Sequence, residues 1–98
     1  MAIAVYFQTN GMTMDQYNQI HRRLEKLGAS ENAARSHHSC FGEEGSLMVY
    51  DIWDSQESFE AFGATLGPIL AELGVDAGQP IVMPLQAQIQ TEKTIRSW

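Results

Sequence analysis

A single cysteine, Cys40, excludes an internal disulfide and with it the disulfide-stapled class of small secreted domain. Basic residues are scarce: six Lys and Arg stand against twelve Asp and Glu, a formal net charge of −6. Nucleic acid and acidic membrane surfaces both select basic patches, so neither is an expected partner. Arg22, Arg23 and Lys26 make the one basic cluster, and it reads as the solvated face of a helix. No apolar run approaches the ~20 residues of a membrane helix. "MAIAVYF" is apolar but short, has no basic flank and gives way to Gln8, Thr9 and Asn10, which argues against a signal peptide. A cytoplasmic location is the expectation. The chain also lacks a P-loop, a G-x-G-x-x-G fingerprint, a C-x-x-C pair and a serine nucleophile elbow, and no cofactor is expected.

What is present is a globular composition, 44% hydrophobic and 18% charged over 98 residues, enough for one core and one domain spanning residues 1–98. "AIAVYFQ" (2–8) predicts a strand with both faces apolar: Ile3, Val5 and Phe7 on one, Ala2, Ala4 and Tyr6 on the other. Thr13 and Gln16 fit a capping box, with Met12 and Tyr17 spaced as a hydrophobic staple. Tyr17, Ile20, Leu24 and Leu27 then recur at helical spacing up to Gly28, which predicts a helix over 14–27. A second strand is expected at 36–42, a turn at "GEEG" (42–45) and a third strand at 46–53, again apolar on both faces except at Asp51. A second helix follows, capped by Asp54 or Ser55. Its buried stripe is Phe59, Phe62, Leu66, Ile69, Leu70 and Leu73, and an interruption is expected at Gly67-Pro68. The last strand is expected over 81–89, with Pro84 placing it at a sheet edge.

This β-α-β-β-α-β order is the α+β, ferredoxin-like pattern: a four-stranded antiparallel sheet with two helices on one face. The first and third strands are then central, as their doubly apolar character requires. The other sheet face is left uncovered and apolar, so a second copy of the chain is the expected cover, giving a homodimer. A polar C-terminal tail folding back on Trp98 is the weaker alternative.

"VYDIWDSQESFEAF" (49–62) resembles the strand-to-helix segment of the dimeric α/β-barrel superfamily, in particular its antibiotic-biosynthesis-monooxygenase-like small proteins. "NGMTMDQYNQI" (10–20) resembles their first strand-helix junction. The resemblance implies a dimeric α/β barrel with a pocket in each subunit between sheet and helices. Its functional range is wide, from cofactor-free monooxygenases to haem degraders and isomerases. The haem degraders' asparagine on the first strand, and their tryptophan and histidine on the second helix, have no counterpart here.

The residues that invite chemistry are few. His37 and His38 are neighbours on a strand and so face opposite sides. His38 shares a face with Cys40, but two ligands do not make a zinc site, and His21 on the flank of the first helix is not expected to reach them; no metal is expected. An inward His38 is a candidate general base or substrate partner, and it lies where similar members of the family carry a strand-two histidine. Asp51 is either a pocket carboxylate or a strand-end group paired with an arginine such as Arg35. Tyr6, beside the small Ala4, is a candidate catalytic phenol at a pocket wall; Tyr50 and Trp53 are candidate substrate contacts. The expectation is a small homodimer that binds an apolar, aromatic or polyketide-like ligand, with cofactor-free monooxygenation assisted by His38 and Tyr6. The alternative is a non-catalytic ligand-binding or structural dimer.

Overall fold

The computed structural model describes residues 1–91; the tail and Trp98, on which the fold-back alternative rests, lie outside them. The elements are β1 (Ile3–Gln8), α1 (Met14–Lys26), β2 (Arg35–Glu43), β3 (Ser46–Trp53), α2 (Gln56–Leu73) and β4 (Ile81–Pro84). All four strands pair antiparallel in the order β2-β3-β1-β4, so β1 and β3 are central and the fold is ferredoxin-like. No helix among the described residues is long and apolar enough to cross a membrane.

Period-two alternation decides the layers. Ile3, Val5, Leu47 and Trp53 face the helices and form the core with Met12, Tyr17, Ile20 and Leu24 from α1 and its approach, and Phe62 and Ile69 from α2. Val5 and Trp53 are fully buried, each contributing about 1.5–3 kcal/mol of burial. Local signals set the helix ends. Thr13 Oγ1 accepts from the Gln16 N–H at 3.1 Å, while the Gln16 side chain accepts from the Thr13 N–H at 3.0 Å, a complete capping box. Glu44, at the β2–β3 turn, accepts from the Met14 N–H at 2.9 Å, which ties the hairpin tip to the start of α1.

Two expectations are corrected. α2 is one unbroken helix through Pro68, because Pro68, Gly67 and Ala64 are all exposed and water satisfies the carbonyl that proline leaves unpaired. Of the two caps expected for α2, Asp54 or Ser55, it is Ser55 that accepts from the Ser58 N–H, at 3.1 Å. β4 ends at Pro84, five residues early: one more bond, from Leu85 N–H to Ala2 O, follows, but among the described residues nothing flanks the outer edge to hold the glutamine-rich continuation.

Candidate active site

Hairpin geometry fixes the first pair of the site. The two-residue turn Glu44-Gly45, with Gly45 at φ 84°, sets Glu43 opposite Ser46. Counting back from that turn places His38 opposite Asp51. Both face the helices, and the His38 Nδ1 lies 2.5 Å from Asp51 Oδ1. Asp51 is 4% exposed, and its side chain is matched by this bond and by Arg35, whose Nη1 lies 4.0 Å from Oδ2.

Helical periodicity supplies the second half. Tyr17, Ile20, His21 and Leu24 lie one above another on the inner face of α1. The Tyr17 hydroxyl lies 2.6 Å from His38 Nε2 and 3.0 Å from His21 Nε2. The Tyr17 and His38 rings are parallel within 4°, at a centroid separation of 5.9 Å. The four side chains form one directional chain. With Asp51 as the anion, His38 donates from Nδ1, so its Nε2 carries the lone pair and accepts the Tyr17 O–H; the Tyr17 oxygen then accepts from His21 Nε2–H.

This chain lies at the edge of a cavity between the sheet and the helices. Apolar walls come from Phe7, Val49, Phe62, Leu66, Leu70 and Val75, and the polar side from Tyr17, His21, Arg35, His38 and Asp51. The cavity holds about 70 Å³, and the unfilled space reaches about 600 Å³ when its mouth to solvent is counted. Dry surroundings tune the groups. Burial, reinforced by Cys40 and Asp51 and opposed by Arg35, raises the Tyr17 phenol well above its ordinary range, so it stays protonated. Burial, with His38 and Arg35 nearby, lowers His21 and keeps its ring neutral at pH 7, against a small opposing pull from Glu25. Burial also raises the Cys40 thiol, which disfavours a reactive thiolate.

Arg35 reaches the cavity through an irregularity. Arg35 pairs with Trp53 and His37 with Ile52, so a bulge at Ser36 adds one residue between them. Unbroken alternation would send Arg35 to the face of His37. The bulge turns it inward, where its guanidinium lies 5.6 Å and 5.3 Å from the centroids of the Trp53 and Phe62 rings.

The residues singled out from sequence separate into two groups. His38 and Asp51 meet at the cavity. Tyr6, Ala4 and Tyr50 lie on the opposite sheet face: the Tyr6 hydroxyl donates to the Met48 sulfur at 2.9 Å, its ring stacks on Phe41, and Tyr50 packs against His37. Trp53 is on the helix face but wholly buried against Phe59 and Phe62, behind the cavity wall. His21 does converge on His38, with ring centroids 6.0 Å apart, contrary to its expected position on the flank. Sequence reasoning passed over Tyr17 and His21 because both fit the ordinary inner stripe of a helix. The signal was their i, i+4 spacing, which brings a hydroxyl and an imidazole together. Among the described residues no three His, Cys, Asp or Glu side chains are grouped as a metal ion requires.

No protein-family model matches the chain, and no curated protein matches it in sequence. Solved structures do share its fold. SnoaB from Streptomyces nogalater, a cofactor-independent oxygenase, aligns with a TM-score of 0.59 at 12% identity, over 92% of this chain and 96% of its own. A candidate antibiotic biosynthesis monooxygenase from Chloroflexus aurantiacus J-10-fl aligns at 0.60 and 13% identity, over 90% and 97%. The de novo designed protein Foldit4 aligns at 0.58 and 11% identity, over 88% and 100%. The chain therefore has the ferredoxin-like fold of the antibiotic-biosynthesis-monooxygenase-like proteins, a fold that a designed protein also adopts.

Proposed function

We propose that the protein is a small-molecule-binding homodimer whose cavity removes a proton from an apolar, enolisable or phenolic ligand and lets the resulting carbanion react with O₂. The observation that carries this reading is the Asp51–His38–Tyr17 chain at the edge of an otherwise apolar cavity. Both nitrogens of His38 are engaged, Nδ1 by Asp51 and Nε2 by Tyr17, so a substrate proton reaches His38 through the Tyr17 oxygen. The phenolate is disfavoured by burial, so the two transfers are concerted: substrate to Tyr17, Tyr17 to His38. Asp51 then faces the imidazolium it stabilises. Oxidation of a CH₂ group to C=O by one O₂ releases one water and balances without an added reductant. The fold shared with SnoaB is consistent with that chemistry but does not by itself carry it.

Support for the dimer comes from the outer sheet face, which no described residue covers. Phe41, Ile81 and Met83 are 44%, 50% and 60% exposed there, beside half-buried Tyr6, Met48 and Tyr50. Several such groups, at about 1.5–3 kcal/mol each when buried, favour a second copy as cover. Sedimentation at micromolar concentration should give twice the 10.9 kDa chain mass; a monomer would remove the dimer from the proposal.

O₂ uptake with anthrone-type and single-ring phenolic substrates tests the chemistry. A substrate with one ring already needs the cavity mouth, since about 150 Å³ is the size of an enclosed cavity that holds benzene. His38→Ala and Tyr17→Phe should each lower the rate by about 10²-fold or more, whereas Tyr6→Phe, on the other sheet face, should not change it. Unchanged rates in the first two would overturn the assignment. Ligand binding without any O₂ uptake would make the protein a non-catalytic binding module.

A further inference from the structure

Of the polar groups on the cavity wall, most are committed. Thr9 donates to Leu47 O at 2.5 Å and accepts from the Met12 N–H. Asp51 Oδ1 is held by His38, and the Tyr17 oxygen lies between two imidazoles. Arg35 differs. Its side chain is 11% exposed, yet among the described residues the guanidinium makes one hydrogen bond, from Nη2 to Ser30 O at 3.3 Å. The contact with Asp51, at 4.0 Å, is ionic but too long for a hydrogen bond. Its flat face is occupied by the Trp53 and Phe62 rings, which leaves N–H edges as the unspent part of a five-donor fork. None of its nitrogens is a fully buried atom without a partner, so the unspent donors still reach solvent and are open to a ligand that replaces water, and the Ser36 bulge is what puts the guanidinium there.

We propose that the ligand of this cavity is a carboxylate with an apolar, ring-sized body, its carboxylate held bidentate by Arg35 and its body against Phe7, Phe62, Leu66 and Leu70. This deepens the functional reading above and rests on the same cavity, but it concerns recognition alone. A planar two-oxygen anion matches the guanidinium fork, which a neutral amide of the same shape does not. The apolar walls accept a hydrocarbon body and offer no second charged donor of that kind. The geometry also suits the relay: a head group fixed at Arg35 holds the body of the ligand beside Tyr17.

Binding of benzoate and of its neutral isostere benzamide, followed by NMR shift perturbation on the full chain without O₂ turnover, tests this. Benzoate should bind about tenfold or more tightly than benzamide. Arg35→Gln should abolish that preference, and Arg35→Lys, which keeps the charge and loses the fork, should leave part of it. Equal affinity for the two compounds in the unsubstituted protein overturns the proposal, as does a benzoate preference that survives in folded Arg35→Gln. If Arg35→Gln does not fold, the Arg35 Nε–H resonance of the unsubstituted protein decides: a shift with benzoate and none with benzamide supports the site, and no shift with benzoate refutes it. Loss of O₂ chemistry with the benzoate preference intact would sink the oxygenase reading and leave this one standing.

Discussion

Replacing Asp51 by asparagine removes one charge and almost no volume, so its effects isolate what the carboxylate does. Two terms set the cost. The bond from His38 Nδ1 at 2.5 Å changes from charge-assisted to neutral, a loss of about 1–1.5 kcal/mol. The Arg35 guanidinium loses its counter-charge. Breaking a fully buried pair costs about 3–5 kcal/mol, but the 4.0 Å separation and residual exposure of Arg35 reduce this to roughly 1–2 kcal/mol. The sum, about 2–3.5 kcal/mol, is a large part of the ~5–15 kcal/mol typical of a domain, and corresponds to a Tm lower by roughly 10–20 °C. Urea unfolding measures it directly. The same substitution has a second, independent signature. An asparagine can present either an oxygen or an N–H to Nδ1, so the His38 proton is no longer confined to that nitrogen, and Nε2 ceases to be a dedicated acceptor for Tyr17. Imidazole ¹⁵N shifts should therefore move from one tautomer to a mixture, with a loss of about 10²–10⁴-fold in any proton-transfer activity. The reasoning fails if Asp51→Asn costs under about 0.5 kcal/mol, the range of an ordinary surface substitution, or if the His38 tautomer does not change.

Other perturbations follow from the same structure. Tyr17→Phe removes a hydroxyl shared by two histidines and should cost about 1–3 kcal/mol in urea unfolding, since each bond is worth about 0.5–1.5 kcal/mol. His21 has its pKa lowered in the fold, first by burial, so the unfolded chain binds its proton more readily. Its contribution to stability is therefore intact above the ordinary value of 6.5 and is lost as pH falls below it; His21→Gln should flatten a plot of stability against pH there. Gly78 has φ 72°, and a Cβ there would lie 2.7 Å from Gln8 O, so Gly78→Ala should destabilise by about 1–3 kcal/mol, combining left-handed strain with a backbone clash. Gly63 is an exposed position inside α2 with open space around it, and Gly63→Ala should stabilise by about 0.5–1 kcal/mol in thermal melts.

Periodicity made most of the architecture readable. The doubly apolar β1 and β3, the Thr13 capping box and the glycines at helix ends are local signals, and each acts where it stands in the sequence. The misses came where water or a neighbouring strand decides. Pro68 breaks a helix only if the freed carbonyl goes unsatisfied, and exposure at Ala64 and Gly67 removes that penalty. Alternation through "IVMPLQAQI" is a valid strand pattern, yet among the described residues β4 has a partner on one side only, and it stops at Pro84. Part of the site was within reach: His38 and Asp51 were both singled out, but the turn expected at "GEEG" (42–45) does not fix their register, and it is the observed two-residue turn Glu44-Gly45 that pairs them. Arg35 was not reachable that way, because the bulge at Ser36 reverses its face and nothing in "ARSHH" announces one.

The contrast with Foldit4 locates where function resides in this chain. A designed sequence reaches the same fold, so packing and topology alone dictate no reaction. What this chain adds is a set of choices that packing does not require. An acid stands in the middle of a central strand, where an apolar residue would be cheaper to bury. Tyrosine and histidine stand on the inner face of α1, where Leu or Phe would fill the same volume without polar atoms. A bulge turns an arginine toward the core. Each choice alone costs stability. Together they offset one another, because Asp51 compensates Arg35 and orients His38, which accepts from Tyr17, which accepts from His21. A polar chain bordering an apolar cavity is what the proton transfer proposed above would use, and stability alone gives no reason for it.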